Sequence, residues 1–178
     1  MANKFINRLC RHLFILPHAA NKKFPSDVLR RIEAAIAVAE KMHAGEIRFA
    51  VELNLPVLDI FRKKSAKKRA IEVFSNVHIW DTEKNNGVLI YLLIADRDFE
   101  ILADRGIHQH VGTAGWERIC KHMEAMFKQG KFEAGVLYGI TQISEQLAKH
   151  YPANENYTNE RLANKNNENE LPDAPIVL

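Results

Sequence analysis

Three observations predict an α/β fold built on a mixed sheet. Val88 to Ala95 is an unbroken apolar run between Asn85-Asn86-Gly87 and Asp96-Arg97-Asp98, too short for a free-standing buried helix and suited to a strand covered on both faces. Ile47, Phe49, Val51 and Leu53 alternate with Glu46, Arg48, Ala50 and Glu52, which is the period of a strand. Segments with apolar residues at helical spacing lie between and around these two runs. The connection from the first strand to Val88 is long enough for a helical crossover, so the two strands are expected to be parallel neighbours. The short link Asp96-Arg97-Asp98 allows only an antiparallel return through Phe99–Asp104, a β-hairpin with a charged tip.

Composition agrees with one globular domain: 178 residues, 47% hydrophobic and 26% charged, enough chain to bury a core without metals or disulfides as staples. No run approaches the ~20 apolar residues that span a bilayer. Cys10 and Cys120 lie far apart and suggest no disulfide framework. Arg8, Arg11 and His12 interrupt the apolar N-terminus and no small-residue cleavage site follows, so a cytoplasmic location is expected, with peripheral attachment at the inner membrane as its variant. Charge is uneven. Residues 1–31 carry seven Lys or Arg against Asp27 alone, residues 32–152 balance, and residues 153–178 carry five acids against two bases. This divides the chain into a basic amphipathic segment (1–25), an α/β domain (26–152) and a flexible C-terminal tail (153–178).

In chain order, Phe5, Ile6, Leu9, Leu13 and Leu16 share one face of a short helix with Lys4, Arg8 and Arg11 elsewhere on it. Such a helix either packs on its own domain or binds a protein partner or an anionic membrane surface. Ser26 is the candidate N-cap of a helix over about 27–43, striped by Leu29, Ile32, Ile36 and Ala39. Arg62 to Arg69 is a run of bases that continues as a helix through Phe74; without interleaved aromatics it reads as a solvated face, and no nucleic-acid partner is expected. Val77–Trp80 reads as a short extra strand and His108–Gly112 as a loop. Two further helices end at Gly130 and near Pro152, a helical hairpin on one sheet face. Beyond Ala153, Asn, Glu and Pro dominate and disorder is expected.

No P-loop, dinucleotide fingerprint, nucleophile elbow or His-Glu-x-x-His is present. What remains is a set of acids at strand ends. Ligands of α/β sheets bind beyond the carboxyl ends of parallel strands, which points at Asp96 and Asp98. Converging carboxylates suit Ca²⁺ or Mg²⁺; the competing reading pairs them with Arg97 or Lys84 in a solvated turn. Asp81 and Glu46 are further metal candidates. Extended, Val88 to Ala95 spans roughly 25 Å, so Glu46, Asp81 and Asp104 are expected at the edge opposite Asp96, and these acids cannot all form one site. His108 and His110 share a face if extended, a spacing open to transition-metal ligation.

The stretches Asn86-Gly87-Val88-Leu89-Ile90, Asp96-Arg97 and Ile101 through Asp104-Arg105-Gly106-Ile107 together resemble the core motif of the TPM-domain family. The resemblance extends to Gly45-Glu46-Ile47, Trp116 and Phe132-Glu133-x-Gly135 and covers about residues 26–152. It implies a three-layer α/β/α sandwich with a mixed, mostly parallel sheet, and a contested phosphatase activity with Ca²⁺ near the acidic residues. The basic N-terminal helix and the Leu171–Pro175 tail look like the short bacterial branch of the family. By motif match the catalytic candidates are Asp96, Arg97, Asp104 and Arg105. Two functions are therefore expected to compete: a metal-assisted, phosphatase-like hydrolase, in which a divalent cation activates water and an arginine clamps phosphate, and a non-catalytic module that binds a protein or membrane surface.

Overall fold

A computed structural model describes residues 2–15, 23–153 and 169–178. Strands β1 (Ile47–Glu52), β2 (Val88–Leu93), β3 (Asp98–Ala103) and β4 (Ile176–Val177) form one sheet in the order β3-β2-β1-β4. β1 is parallel to β2, with Ile47 opposite Val88 and Glu52 opposite Leu93. β2 is antiparallel to β3, with Leu93 opposite Asp98. The parallel pair and the hairpin are thus as the apolar runs and link lengths require. The helices are α1 (Ala2–Phe14), α2 (Ser26–Ala39), α3 (Val57–Phe61), α4 (Ala66–Asn76), α5 (Arg105–Lys128) and α6 (Phe132–His150).

Period-2 alternation decides which helices cover which face. Ile47, Phe49 and Val51 of β1, with Val88, Ile90 and Leu92 of β2, pack against Ile32 and Ile36 of α2, Met123 of α5 and Ile140 and Ile143 of α6. Ala50, Leu89, Tyr91 and Leu93 point the other way, onto Leu55, Ile60, Ala66, Ala70 and Val73, with Phe5 and Leu9 of α1 and Leu171 and Ile176 closing that layer. The product is a three-layer α/β/α sandwich. Each fully buried Ile or Leu contributes about 1.5–3 kcal/mol relative to exposure, and both faces of β2 are buried throughout. On the second face the Tyr91 hydroxyl donates to Glu52 Oε2 at 2.6 Å and Arg69 Nε donates to the same oxygen at 2.8 Å, which ties α4 to the sheet.

Several local expectations differ from the structure. Residues 77–80 are turns, not a strand, with His78 at φ 56°. The stretch His108–Val111 is helical: Asp104 caps α5 by accepting from the Arg105 N–H at 2.6 Å, Ile107 is fully buried, and Gly112, non-helical at φ 67° and ψ 168°, kinks α5 between its first two turns and the rest. Helix α2 begins at Ser26, so Pro25 rather than Ser26 holds the cap position. The C-terminal tail divides. Residues 154–168 and Leu16 lie outside the described residues, but 169–178 are held on the domain: Ala50 pairs with Ile176, Val51 with Val177, and Leu178 exchanges backbone hydrogen bonds with Val51 and Leu53. A strand of two residues has no legible period, and only the open edge of β1 selects it.

Gly87 opens β2 where the backbone passes against Ile79. A Cβ there would collide with the Ile79 carbonyl oxygen and lie 2.7 Å from its Cγ2, a backbone contact that cannot rotate away. Gly87→Ala is therefore expected to cost about 2–3 kcal/mol by overpacking, read as a fall of about 2–4 °C in Tm per kcal/mol for a domain of this size; an unchanged Tm would contradict the close approach.

Candidate functional site at the carboxyl edge of the sheet

The turn after β2 brings Asp96, Arg97 and Asp98 to the carboxyl edge of the two parallel strands, where α1 also lies. Its helical spacing is the reason: Phe5, Arg8, Leu9 and His12 fall on one side of α1. The Phe5 ring meets Phe61 of α3 with centroids 5.5 Å apart. Arg8 then closes on Asp96, with Nε donating at 3.1 Å to Oδ1 and 3.0 Å to Oδ2, and Nη2 donating at 2.7 Å to Oδ2; Nη2 also donates to the Lys64 carbonyl at 2.5 Å. Buried His12 accepts the Leu55 N–H on Nδ1 at 2.9 Å. The proton of the neutral ring therefore sits on Nε2, which faces Asp96 Oδ1 at 3.1 Å. Arg11 adds a weaker contact to Asp96, at 3.7 Å.

Burial alone would raise the Asp96 carboxyl, but the hydrogen bonds from Arg8 and His12 and the Arg8 charge outweigh it and hold the carboxyl below its ordinary range. Asp98 is exposed as a residue; its Oδ1 accepts its neighbour's N–H, from Phe99, at 2.9 Å, while partial desolvation of the carboxyl, then the Asp96 charge, pushes its pKa up. Arg97 sits at the turn tip with φ 54° and is exposed.

The other candidates lie at the amino edge. Asp104 caps α5, and Arg105 Nε donates to Asn85 Oδ1 at 3.0 Å. Asp81 is exposed in the turn before β2. Glu46 is buried at the start of β1, where it accepts the N–H groups of Glu170 and Leu171 at 3.0 and 3.3 Å. Six residues of strand at roughly 3.3 Å each place this group about 20 Å from Asp96. Four catalytic candidates therefore resolve into two pairs on opposite edges, Asp96 with Arg97 and Asp104 with Arg105. The four metal candidates divide likewise, Asp96 with Asp98 and Asp81 with Glu46. His110 stacks on His150 with centroids 4.5 Å apart.

At the amino edge Glu46 shares a small cavity of about 130 Å³ with Glu40, His43 and Asp173. Burial, then the charge of Glu46, pushes Glu40 up to about 9; burial pushes Glu46 up to about 7 and His43 down to about 4. Arg48 is buried on the neighbouring sheet face, with Asp173, Glu40 and Glu46 as its nearest charges. The sheet thus carries carboxylates at one edge and an excess of cations at the other.

Residues 22–146 match the TPM domain family model. The chain belongs to the TPM-domain family. It is similar to the BA42 protein of the psychrophilic bacterium Bizionia argentinensis, solved by NMR: 30% identity over 86% of this chain and 94% of that one, with a TM-score of 0.71. No curated protein matches the chain.

The divalent cation implied by the TPM resemblance does not fit Asp96 in this fold. Ca²⁺ takes six to eight oxygen ligands, whereas both Asp96 oxygens already accept from Arg8 and His12, and two guanidinium groups stand where the cation's charge would. Among the described residues, no group of three or more His, Cys, Asp or Glu is arranged to hold a metal ion. Arg8 and His12 lie outside the apolar stripe of α1, and their i, i+4 spacing is the signal in the sequence that places them side by side.

Proposed function

We propose that this TPM domain is a non-catalytic module that docks on an anionic membrane surface through its carboxyl edge. The observation that carries this reading is the engagement of Asp96 by α1, which occupies the carboxylate a hydrolase would need and leaves the opposite side of α1 outward. Around exposed Asn3 and Asn7 that outward side carries large apolar groups: Ile6, Leu13 and Phe14 are exposed, Phe14 to 77%, with Leu58 and Phe61 of α3 at 69% and 58%. Exposed Arg11, Arg62, Lys63 and Arg97 surround them. Each cation near an anionic bilayer is worth about 1 kcal/mol, so four supply about a thousandfold in partitioning, added to the burial of Phe14 and its neighbours. No helix among the described residues is long and apolar enough to cross a membrane, so attachment would be peripheral.

The hydrolase reading stands second, because it requires Asp96 to leave Arg8 and His12 before a cation could bind. Both readings meet in one experiment on the full chain. Co-sedimentation with phosphatidylglycerol vesicles should be strong at low salt and weak at high salt, and Leu13→Ser with Phe14→Ser should abolish it at unchanged Tm, since both side chains are exposed. A rise in Tm with millimolar Ca²⁺ or Mg²⁺, together with phosphomonoester turnover and no vesicle binding, would overturn the docking reading in favour of the hydrolase; capture of a protein partner by the same surface would overturn it in favour of protein recognition.

A further inference from the structure

We propose that the crevice between the C-terminal half of α1 and the tip of the β2–β3 hairpin seats the phosphate of an anionic phospholipid headgroup, held by Arg11, Lys23 and Arg97. The inference rests on the docking reading and names the atoms that would select the lipid. The crevice, about 490 Å³, has these three cations in its wall beside Phe14, Ile15 and Ile94, and among the described residues no carboxylate lines it. Asp96, adjacent in sequence, is turned to Arg8 and His12 and leaves Arg11 only a contact at 3.7 Å. Arg97 makes no ion pair or side-chain hydrogen bond among the described residues, and Lys23 rests 4.3 Å from the Phe132 ring centroid.

Cations gathered in one apolar-walled crevice repel one another; burial and then the Arg97 charge push the Lys23 ammonium down from its ordinary range. An anion placed among them removes that repulsion. Phosphate suits the donor set: a guanidinium offers parallel N–H donors to two of its oxygens, and an ammonium a third contact. The wall favours a lipid over a soluble ester. Phe14 and Ile15 offer nothing to read a sugar or a base, and they continue into exposed Leu13, so acyl chains would meet apolar side chains where the headgroup meets charge.

The test compares variants of the full chain on phosphatidylcholine vesicles with and without phosphatidylglycerol, with glycerol 3-phosphate as a soluble competitor. Arg97→Gln and Lys23→Gln should each weaken binding by at least about tenfold, whereas Arg62→Gln, outside the crevice on the same edge, should cost no more than about fivefold, the worth of one charge near the surface. Arg97→Lys keeps the charge and loses the fork, so it should not restore parental binding. Parental binding by Arg97→Lys, or equal losses in Arg97→Gln and Arg62→Gln, would overturn the seat and leave membrane docking intact. No vesicle binding by the parent overturns both. Displacement from vesicles by millimolar glycerol 3-phosphate, with the Arg97 amide signal shifting, would assign the crevice to a soluble phosphate ester and overturn the lipid.

Discussion

Asp96→Ala should lower the stability of the domain by about 3 kcal/mol, a loss readable in denaturant or heat. Removing this carboxylate leaves the Arg8 guanidinium and the buried His12 ring without their acceptor, and breaking a largely buried ion pair from one side costs about 3–5 kcal/mol. Arg8 keeps its bond to the Lys64 carbonyl, which favours the lower end. Arg8→Ala should be less severe, since Asp96 then retains His12 and gains Arg11. Because the two partners share one network, the double variant should cost well under the sum of the singles, with a coupling of about 1–3 kcal/mol. Additive losses would mean that the pair does not act as a unit. The sign with pH follows from the lowered Asp96 pKa: a depressed carboxyl contributes stability above its unfolded value near 3.9, and that contribution disappears as pH falls through the folded value. Release of α1 by acid is therefore expected below about pH 4, as a loss of hydrogen-exchange protection in residues 5–14.

The amino edge should respond to pH in the opposite sense. Glu46, raised to about 7, and Glu40, raised to about 9, are chiefly desolvated. A raised carboxyl contributes stability that is full below the unfolded value near 4.3 and is lost as pH rises through the folded value. For Glu46 the loss amounts to about 3 kcal/mol between pH 4.5 and 8, with Glu170 and Asp173 adding like charge and buried Arg48 offsetting part of it. Glu46→Gln removes the charge and keeps one oxygen to accept from the N–H of Glu170 or Leu171. It should therefore match the parent at pH 5 and melt several degrees higher at pH 8. The segment 169–178 should report this first, because it covers the Glu46 carboxyl and its opening rehydrates the charge; a parent Tm that stays flat from pH 5 to 8 would contradict desolvation as the dominant influence.

The main frame of the fold was legible because its signals are local. Burial on both faces makes Val88 to Ala95 continuously apolar, one wet and one dry side would have made it alternate, and a link of three residues permits only a hairpin. The helices of the 132–150 and 26–39 segments declare themselves by 3.6-residue spacing for the same reason. Reading failed where a residue's role depends on something distant. The pair His108 and His110 looks like loop until Asp104 caps the helix that contains it, and Ile176-Val177 becomes a strand only because β1 has a free edge.

Charges followed the same division. Sequence by itself determined that acids cluster at strand ends, that Glu46 and Asp104 stand a strand's length from Asp96, and that the N-terminal segment is a basic amphipathic helix. Only the tertiary structure decided that this helix lies across the carboxyl edge with Arg8 and His12 on Asp96, leaving Arg11, Lys23 and Arg97 together in a crevice that no carboxylate among the described residues lines. Hydrophobic pattern is set by which face of an element meets the core, and neighbours in the chain record it. The partner of a charge is set by which chain ends converge in space, here across |i−j| of 84 and 88 residues, and no local pattern records that.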